Sequence, residues 1–503
     1  MPPPAPQPTV ALAGGGLAGL AAACALADAG FRVTIFEKRP FLGGRASSYQ
    51  HPGTGEIVDN CQHVLFRTCT NLIDFYERIG VSNDIRWYDT MTFLEPGGRA
   101  SVMRASPLPA PLHTAPSFLH FSFLTAKDKL AIARAMIPLS LTEQLDTGKS
   151  FADWLQQHHQ TPGAIERFWK PVLISALSEE LDRISISSAA QVVRESMKSP
   201  AARHMGVPTV PLTNLYDAAG NYIRARGGEL YFRSALETFH PDSAQVHLNL
   251  VDRDDEGQSG EPKSAFDYLV LALPFDALDR VLPQTPDAAS LREQITHFET
   301  SPITGVHLWF DRQITELDHA VLLDRTIQWM FHKSRLQPMR TQSAEGHHER
   351  EGHDFSRAIK TSERNGALAP EGAGSYIELV ISSSKALIEK SRTEIIDLVL
   401  AEVCEFFPAA RAANLVKSTV IKEVHATFSP RPGIDTHRPT ANIVWPRVFL
   451  AGDWTATGWP ATMEGAVRSG YLAAQSVARV AGKRDAAFLV ADLPPTGFMR
   501  LFG

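Results

Sequence analysis

At 503 residues, with 44% apolar and 21% charged side chains, the chain has the composition of an ordinary globular protein with a large core and roughly two to four domains. A formal charge of −6 gives no general attraction to nucleic acid, and the four cysteines (Cys24, Cys61, Cys69, Cys404) form no CxxC pairing, which argues against a zinc cluster and fits a reducing compartment. The leading MPPPAPQP lacks the basic and apolar parts of a signal peptide, so a cytoplasmic protein is expected.

The first ordered stretch is TVALAGGGLAGLAAACALADAGFRVTIFE. Thr9–Ala13 reads as a short buried strand, residues 17–29 as a helix, and Arg32–Glu37 as a second strand, together a βαβ unit. Gly14, Gly16 and Gly19 fall at its turn, where the chain must bend tightly, let a pyrophosphate approach the backbone and pack a helix on a strand. The helix N-terminus then faces the phosphates. Glu37 ends the second strand, where a carboxylate accepts both hydroxyls of an adenosine ribose and repels a 2′-phosphate. A transmembrane reading of this uncharged run fails on its glycines and on Asp28.

Immediately after comes KRPFLGGRASSY, a second glycine-rich turn. A plain NAD site has no need of one; a longer folded cofactor uses Gly43 and Gly44 for close approach and Lys38 and Arg45 for charge. EIVDNCQHVL then gathers Asp59, Asn60, Gln62 and His63 before an amphipathic helix at 71–79. Such a cluster is either a satisfied polar turn or a site.

The run from Val10 through GGRASS and VDNCQHVL resembles the amine-oxidase and phytoene-desaturase superfamily of FAD enzymes, and within it the hydroxysqualene dehydroxylases, also called squalene-associated FAD-dependent desaturases of hopanoid synthesis. Where that group has D-N-G-Q-H, this chain has Asp59, Asn60, Cys61, Gln62 and His63; a glycine of positive φ could not be replaced by Cys61 without local change. The resemblance implies FAD, a polyprenoid lipid substrate and reductive loss of an allylic hydroxyl, in which acid-assisted departure of water leaves a stabilised cation for hydride to quench. His63 is the expected general acid, with Gln62 positioning it or the hydroxyl and Asp59 tuning it; the alternative is that all three merely shape the flavin loop. Other readings are a carotenoid-type desaturase, a flavin amine oxidase and a non-catalytic, flavin-bearing lipid carrier. The resemblance names no electron donor.

Residues 105–126, ASPLPAPLHTAPSFLHFSFLTA, are uncharged and aromatic, and Pro107, Pro109, Pro111 and Pro116 forbid a continuous helix. The stretch is an internal apolar wall, the commoner fate of such runs, or a lip on a membrane surface with Phe118, Phe121 and Phe123 at a bilayer-facing entrance; the tail GFMRLF is a second, shorter candidate for peripheral contact with the inner face of the plasma membrane. Helical signals dominate to about residue 199, with Ser150 a helix cap, and 207–215 reads as a proline linker to a helix ending at Gly227 and Gly228. Residues 229–246 and 266–273 read as strands joined by a polar hairpin tip, and the resemblance has Ala235 pass the adenine. Residues 303–310 and 375–383 read as sheet strands, and 391–407 as a helix opening on a Ser391–Glu394 capping box. Between them, 334–374 is a polar insertion whose HHEREGHD lacks the HExxH spacing of a zinc site.

VFLAGDWTATGWPATMEGAVRSGYLAAQSVARV closes the pattern. A buried strand ends at Gly452 and Asp453, and a helix opens near Thr462 and Met463; the resemblance places Asp453 at the ribityl and pyrophosphate region and the helix N-terminus beneath the flavin pyrimidine, where it stabilises negative charge. The expected architecture is an α/β Rossmann-type FAD domain from 1–98, 216–285 and 430–490, interrupted by a substrate domain from 99–215 and 286–429 of helices on a mainly antiparallel sheet.

Overall fold

The computed structural model describes residues 7–141, 148–252, 264–337 and 374–501. Its nucleotide-binding half is built on a five-stranded parallel sheet in the order Glu229–Phe232, Arg32–Glu37, Thr9–Ala13, Tyr268–Leu271, Val448–Leu450. The central strands are covered on both faces, which is why VALA and YLVL run almost wholly apolar. Helices Leu17–Asp28 and Met463–Val480 cross on one face; a Cβ at Gly470 would meet the Ala18 carbonyl oxygen at 2.3 Å, so only glycine allows this approach. A three-stranded antiparallel sheet (Ser234–Pro241, Val246–Asp252, Ala265–Phe266) and helices Phe275–Val281 and Ala289–Thr296 cover the other face.

The second half is a seven-stranded sheet in the order Leu415–Phe428, Thr300–Phe310, Ser375–Ser382, Trp329–His332, His319–Leu322, Thr90–Leu94, Ala100–Arg104. All its pairs are antiparallel except His319–Leu322 with Thr90–Leu94. Helices between Ala126 and Met197 pack against it through Trp154, Trp169, Leu173 and Val193. The expected cap at Ser150 and the expected capping box at Ser391 are both formed, and Ser150 completes a box of its own with Asp153.

Several expectations need correction. Thr90–Leu94 lies inside the expected first nucleotide-binding segment, 1–98, yet pairs in the seven-stranded sheet, where its Phe93 joins the aromatic core of the helices. The single strand expected over 229–246 is cut at Arg233, whose φ of +58° turns the chain from the parallel sheet into the antiparallel one. The linker expected from 207 begins inside a buried strand, Met205–Pro208, paired with Leu65–Phe66 and Ile85–Tyr88; its proline closes the strand, where no further ladder donor is needed. Phe121 and Phe123 do not face a bilayer: they are buried, stacked at 4.8 Å on each other and packed on Phe93. Phe118 is half-buried against Phe168. Of the expected insertion, 338–373, with HHEREGHD, lies outside the described residues, as does the hairpin tip 253–263; Leu336 is buried and Arg335 pairs with Asp318 and Glu316, so 334–337 belong to the folded body. Among the described residues no group of side chains could hold a metal, and no helix is long and apolar enough to cross a membrane.

Candidate active site

The two glycine turns meet. Gly14 has φ +108°, and a Cβ there would sit 2.4 Å from the Ala272 carbonyl oxygen; a Cβ at Gly19 would sit 2.0 Å from that of Gly14, so both must stay bare. The Gly43 amide donates to the Gly15 carbonyl at 2.9 Å, and a Cβ on Gly44 would reach Gly16 Cα at 3.0 Å. The first helix starts at Gly16 with no side-chain cap, leaving its first-turn amides directed at the adjoining cavity. The Glu37 carboxylate accepts the Gly15 amide at 2.6 Å and the Arg39 amide at 2.8 Å, which fixes it at the cavity edge beside exposed Lys38.

The two ends of the sequence pattern close on each other through Arg45, whose guanidinium reaches the Asp453 carboxylate at 2.5 Å and the Ala426 carbonyl at 2.9 Å. The charge expected to serve phosphate is thus shared with Asp453, and the pair fixes the returning strand. Thr462 caps the long C-terminal helix by accepting the Gly465 amide, and the sulfur of Met463 accepts the Tyr216 hydroxyl. Thr462, Met463, Ala235, Gly452 and Asp453 border the same cavity as Gly14, Gly16, Gly43 and Gly44; Gly19 does not and serves helix packing.

This cavity measures about 1240 Å³ and continues from the glycine cradle into the second half of the molecule. There its wall is apolar, with Met91, Phe93, Ile132, Met136, Val172 and Trp329 among its residues. A dinucleotide fits the first compartment on three counts: bare-glycine contacts, an uncapped helix terminus, and a second helix N-terminus at Thr462 positioned for the anionic end of a reduced flavin.

The loop 59–63 lies between the two compartments. Asn60, Cys61, Gln62 and His63 line the cavity, whereas Asp59 does not: its buried carboxylate accepts Lys333 Nζ at 2.6 Å, Ser48 Oγ at 2.5 Å and the Leu212 amide at 3.1 Å. Burial would raise its pKa, but the Lys333 ammonium and these donors outweigh burial and hold it below the usual carboxylate range. Asp59 therefore positions the loop rather than touching substrate. Gln62 is spent as well, its Oε1 accepting Lys333 Nζ at 2.8 Å and its amide donating to the His63 carbonyl. Cys61 has no positive φ, so the missing glycine costs this loop no backbone strain.

Of the loop's two ionisable groups on the cavity, burial pushes the Cys61 thiol well up and leaves His63 as the one suited to exchange a proton. Its Nδ1 lies 2.7 Å from the Cys61 carbonyl oxygen, an acceptor, so Nδ1 carries the proton and Nε2 is left for a ligand. Burial holds the imidazolium below the ordinary histidine range, against the pull of that carbonyl. Burial thus favours the neutral ring, and to act as the expected acid His63 must carry a proton at Nε2.

Two charged residues behind the loop escaped the sequence reading. Lys333, 1% exposed, lies between Asp59 and Glu378, the latter at 3.5 Å and on the neighbouring strand. Burial pushes Glu378 up to about 7 despite Lys333, while Lys333 itself is held above its usual value by the two acids, which outweigh its burial. A glutamate inside the apolar run IELVIS was the signal for Glu378; nothing near Lys333 in sequence points 274 residues back to Asp59.

Cradle and cavity define a flavin-dinucleotide oxidoreductase. Residues 17–478 match the model of the flavin containing amine oxidoreductases, and the chain belongs to that family. It is an FAD-dependent oxidoreductase of amine-oxidase fold. It is 29% identical over 496 residues to a probable zeta-carotene desaturase of Synechococcus elongatus, covering 93% of this chain and 98% of that one, and 26% identical over 486 residues to a 15-cis-phytoene desaturase of the same organism, covering 93% and 95%. Among solved structures, a putrescine oxidase superposes with a TM-score of 0.67 at 15% identity over 95% of this chain and all of its own, and a cyclohexylamine oxidase from Brevibacterium oxydans with 0.61 at 17% identity over 95% and 99%.

Proposed function

We propose that the protein acts on a polyprenoid hydrocarbon chain, and that its reaction is the reductive dehydroxylation of hydroxysqualene to squalene in hopanoid synthesis. The observation that carries this reading is the cavity: one continuous space joins the dinucleotide cradle to an apolar compartment whose junction is marked by His63. The carotene desaturases among the relatives support a long isoprenoid substrate, and the DNCQH segment supports the dehydroxylase within that class.

Bound FAD in its reduced form supplies the hydride. The overall change is an allylic alcohol plus hydride and proton giving the hydrocarbon plus water. The chain's part is to hold the allylic carbon in a dry compartment, keep Asp59 and Gln62 locked on Lys333, and deliver the proton from His63 Nε2 to the leaving hydroxyl. The wall residues Met91, Phe93, Val172 and Trp329 exclude the water that would capture a cation.

One observation favours a second reading, polyprenoid desaturation: His63 turns Nδ1 to the Cys61 carbonyl and leaves Nε2 open to the cavity, and burial favours the neutral ring that could accept a proton there. The two readings run the same histidine in opposite directions. Product analysis tests them: the purified protein with a chemical reductant should convert detergent-dispersed hydroxysqualene to squalene. Oxygen-linked conversion of a hydrocarbon or an amine, with no squalene formed, would refute the proposal.

A further inference from the structure

The second compartment of the cavity opens to the surface where Leu112, Ala133 and Ile137 are both cavity-lining and exposed. The rim there is apolar: Leu112 is 47% exposed, Leu119 64%, Ile137 64% and, on the tail, Leu501 77%. The tail belongs to this rim, because the Phe498 amide donates to the Ala110 carbonyl, Gly497 packs on Pro109 and Ala110, and Met499 lines the cavity. The two stretches that the sequence offered as separate membrane candidates are therefore one surface.

Its charge is one-sided. Lys127, Arg134 and Arg500 are exposed around it, while the sole acid of residues 105–141, Asp128, is buried and bonded to Thr125 and Thr161. Arg203 lines the cavity beside this rim and makes no side-chain hydrogen bond or ion pair with the described residues. A guanidinium facing an apolar cavity without a counterion is costly unless an anion meets it.

We propose that this rim seats on an anionic bilayer surface, with the exposed leucines and isoleucine in the interfacial layer and Arg203 taking a lipid phosphate at the cavity mouth, so that the hydrocarbon substrate passes from bilayer to cavity without crossing water. The proposal rests on the polyprenoid reading. It follows from the cost of about 0.8 kcal/mol for each CH₂ group moved from an apolar phase into water.

The test uses oxidised, FAD-loaded protein and flotation with vesicles of equimolar phosphatidylcholine and phosphatidylglycerol, without substrate. Wild type should float with these vesicles and less with phosphatidylcholine alone. Leu119→Ser with Leu501→Ser, neither lining the cavity, should remove flotation while leaving turnover of detergent-dispersed hydroxysqualene unchanged. Arg203→Gln should narrow the preference for the anionic vesicles about fivefold, the value of one basic residue at such a surface. Wild type that stays with the soluble fraction, or the double variant floating as well as wild type, overturns the proposal. So does a wild-type dimer that the double variant dissolves with no change in flotation, since the rim would then cover a second copy. Flotation as expected with no squalene formed in detergent would refute the dehydroxylase reading alone.

Discussion

Lys333→Met is the most severe single change the site should register. It removes the cation that holds Asp59 at 2.6 Å and Gln62 at 2.8 Å, leaving a buried carboxylate with only Ser48 and the Leu212 amide as donors. Breaking a buried pair from one side costs about 3–5 kcal/mol. Asp59→Asn should cost less, about 1–3 kcal/mol, because Glu378, 3.5 Å from Lys333 and raised to about 7 by burial, can ionise and take over as counterion. Combining the two substitutions leaves a neutral amide at position 59 and Glu378 protonated, with no buried charge to satisfy, so the double variant should fall short of the summed singles by at least about 1 kcal/mol. Equilibrium urea unfolding followed by tryptophan fluorescence reads all four proteins. Additivity within about 0.5 kcal/mol would refute the account of a charge-balanced cluster.

Glu378→Gln should change the pH dependence of stability. A folded-state value raised from 4.5 to about 7 means that protonated Glu378 favours the folded state, fully at acid pH and progressively less as pH rises through that window; the variant should lose this slope in pH-resolved unfolding. His63→Ala should retain FAD but slow single-turnover dehydroxylation by about 10² to 10⁴. In the wild type that rate should rise as pH falls below the ordinary histidine value of about 6.5, because the imidazolium is held lower than that; a rate that falls with acid would assign His63 to proton acceptance. Glu37→Arg should weaken FAD retention on gel filtration if the carboxylate fixed by the Gly15 and Arg39 amides takes the ribose, as its place at the end of the second strand leads one to expect.

The nucleotide cradle was legible because its constraints are local. Gly14 and Gly19 must be bare within a few residues of one another, and the strands flanking them are buried on both faces, so spacing and apolar runs report them directly. The match of Gly452 and Asp453 to the N-terminal turns needed the resemblance, yet the structure gives it a physical form in the Arg45–Asp453 pair. What stayed hidden depended on distance in the chain. Asp59 reads as a member of a catalytic loop until Lys333 is seen to claim its carboxylate, and the aromatic run 118–123 reads as either wall or lip until Phe93, from a strand assigned to the wrong half, packs on two of its rings. Nothing in TMTFL, residues 90–94, tells which sheet it will join, because its partners Ala100–Arg104 and His319–Leu322 are set by the folded chain rather than by its own pattern.

The central claim is that the bound flavin gives electrons to an allylic alcohol. The direct measurement is an anaerobic single turnover, in which the protein is photoreduced, mixed with hydroxysqualene and followed by flavin absorbance and extracted product together. The account predicts return of the oxidised flavin spectrum with one squalene formed per flavin, slowed in His63→Ala. A reduced spectrum that persists in hydroxysqualene, while the oxidised protein is bleached by a polyprenoid hydrocarbon that gains a double bond, would contradict it.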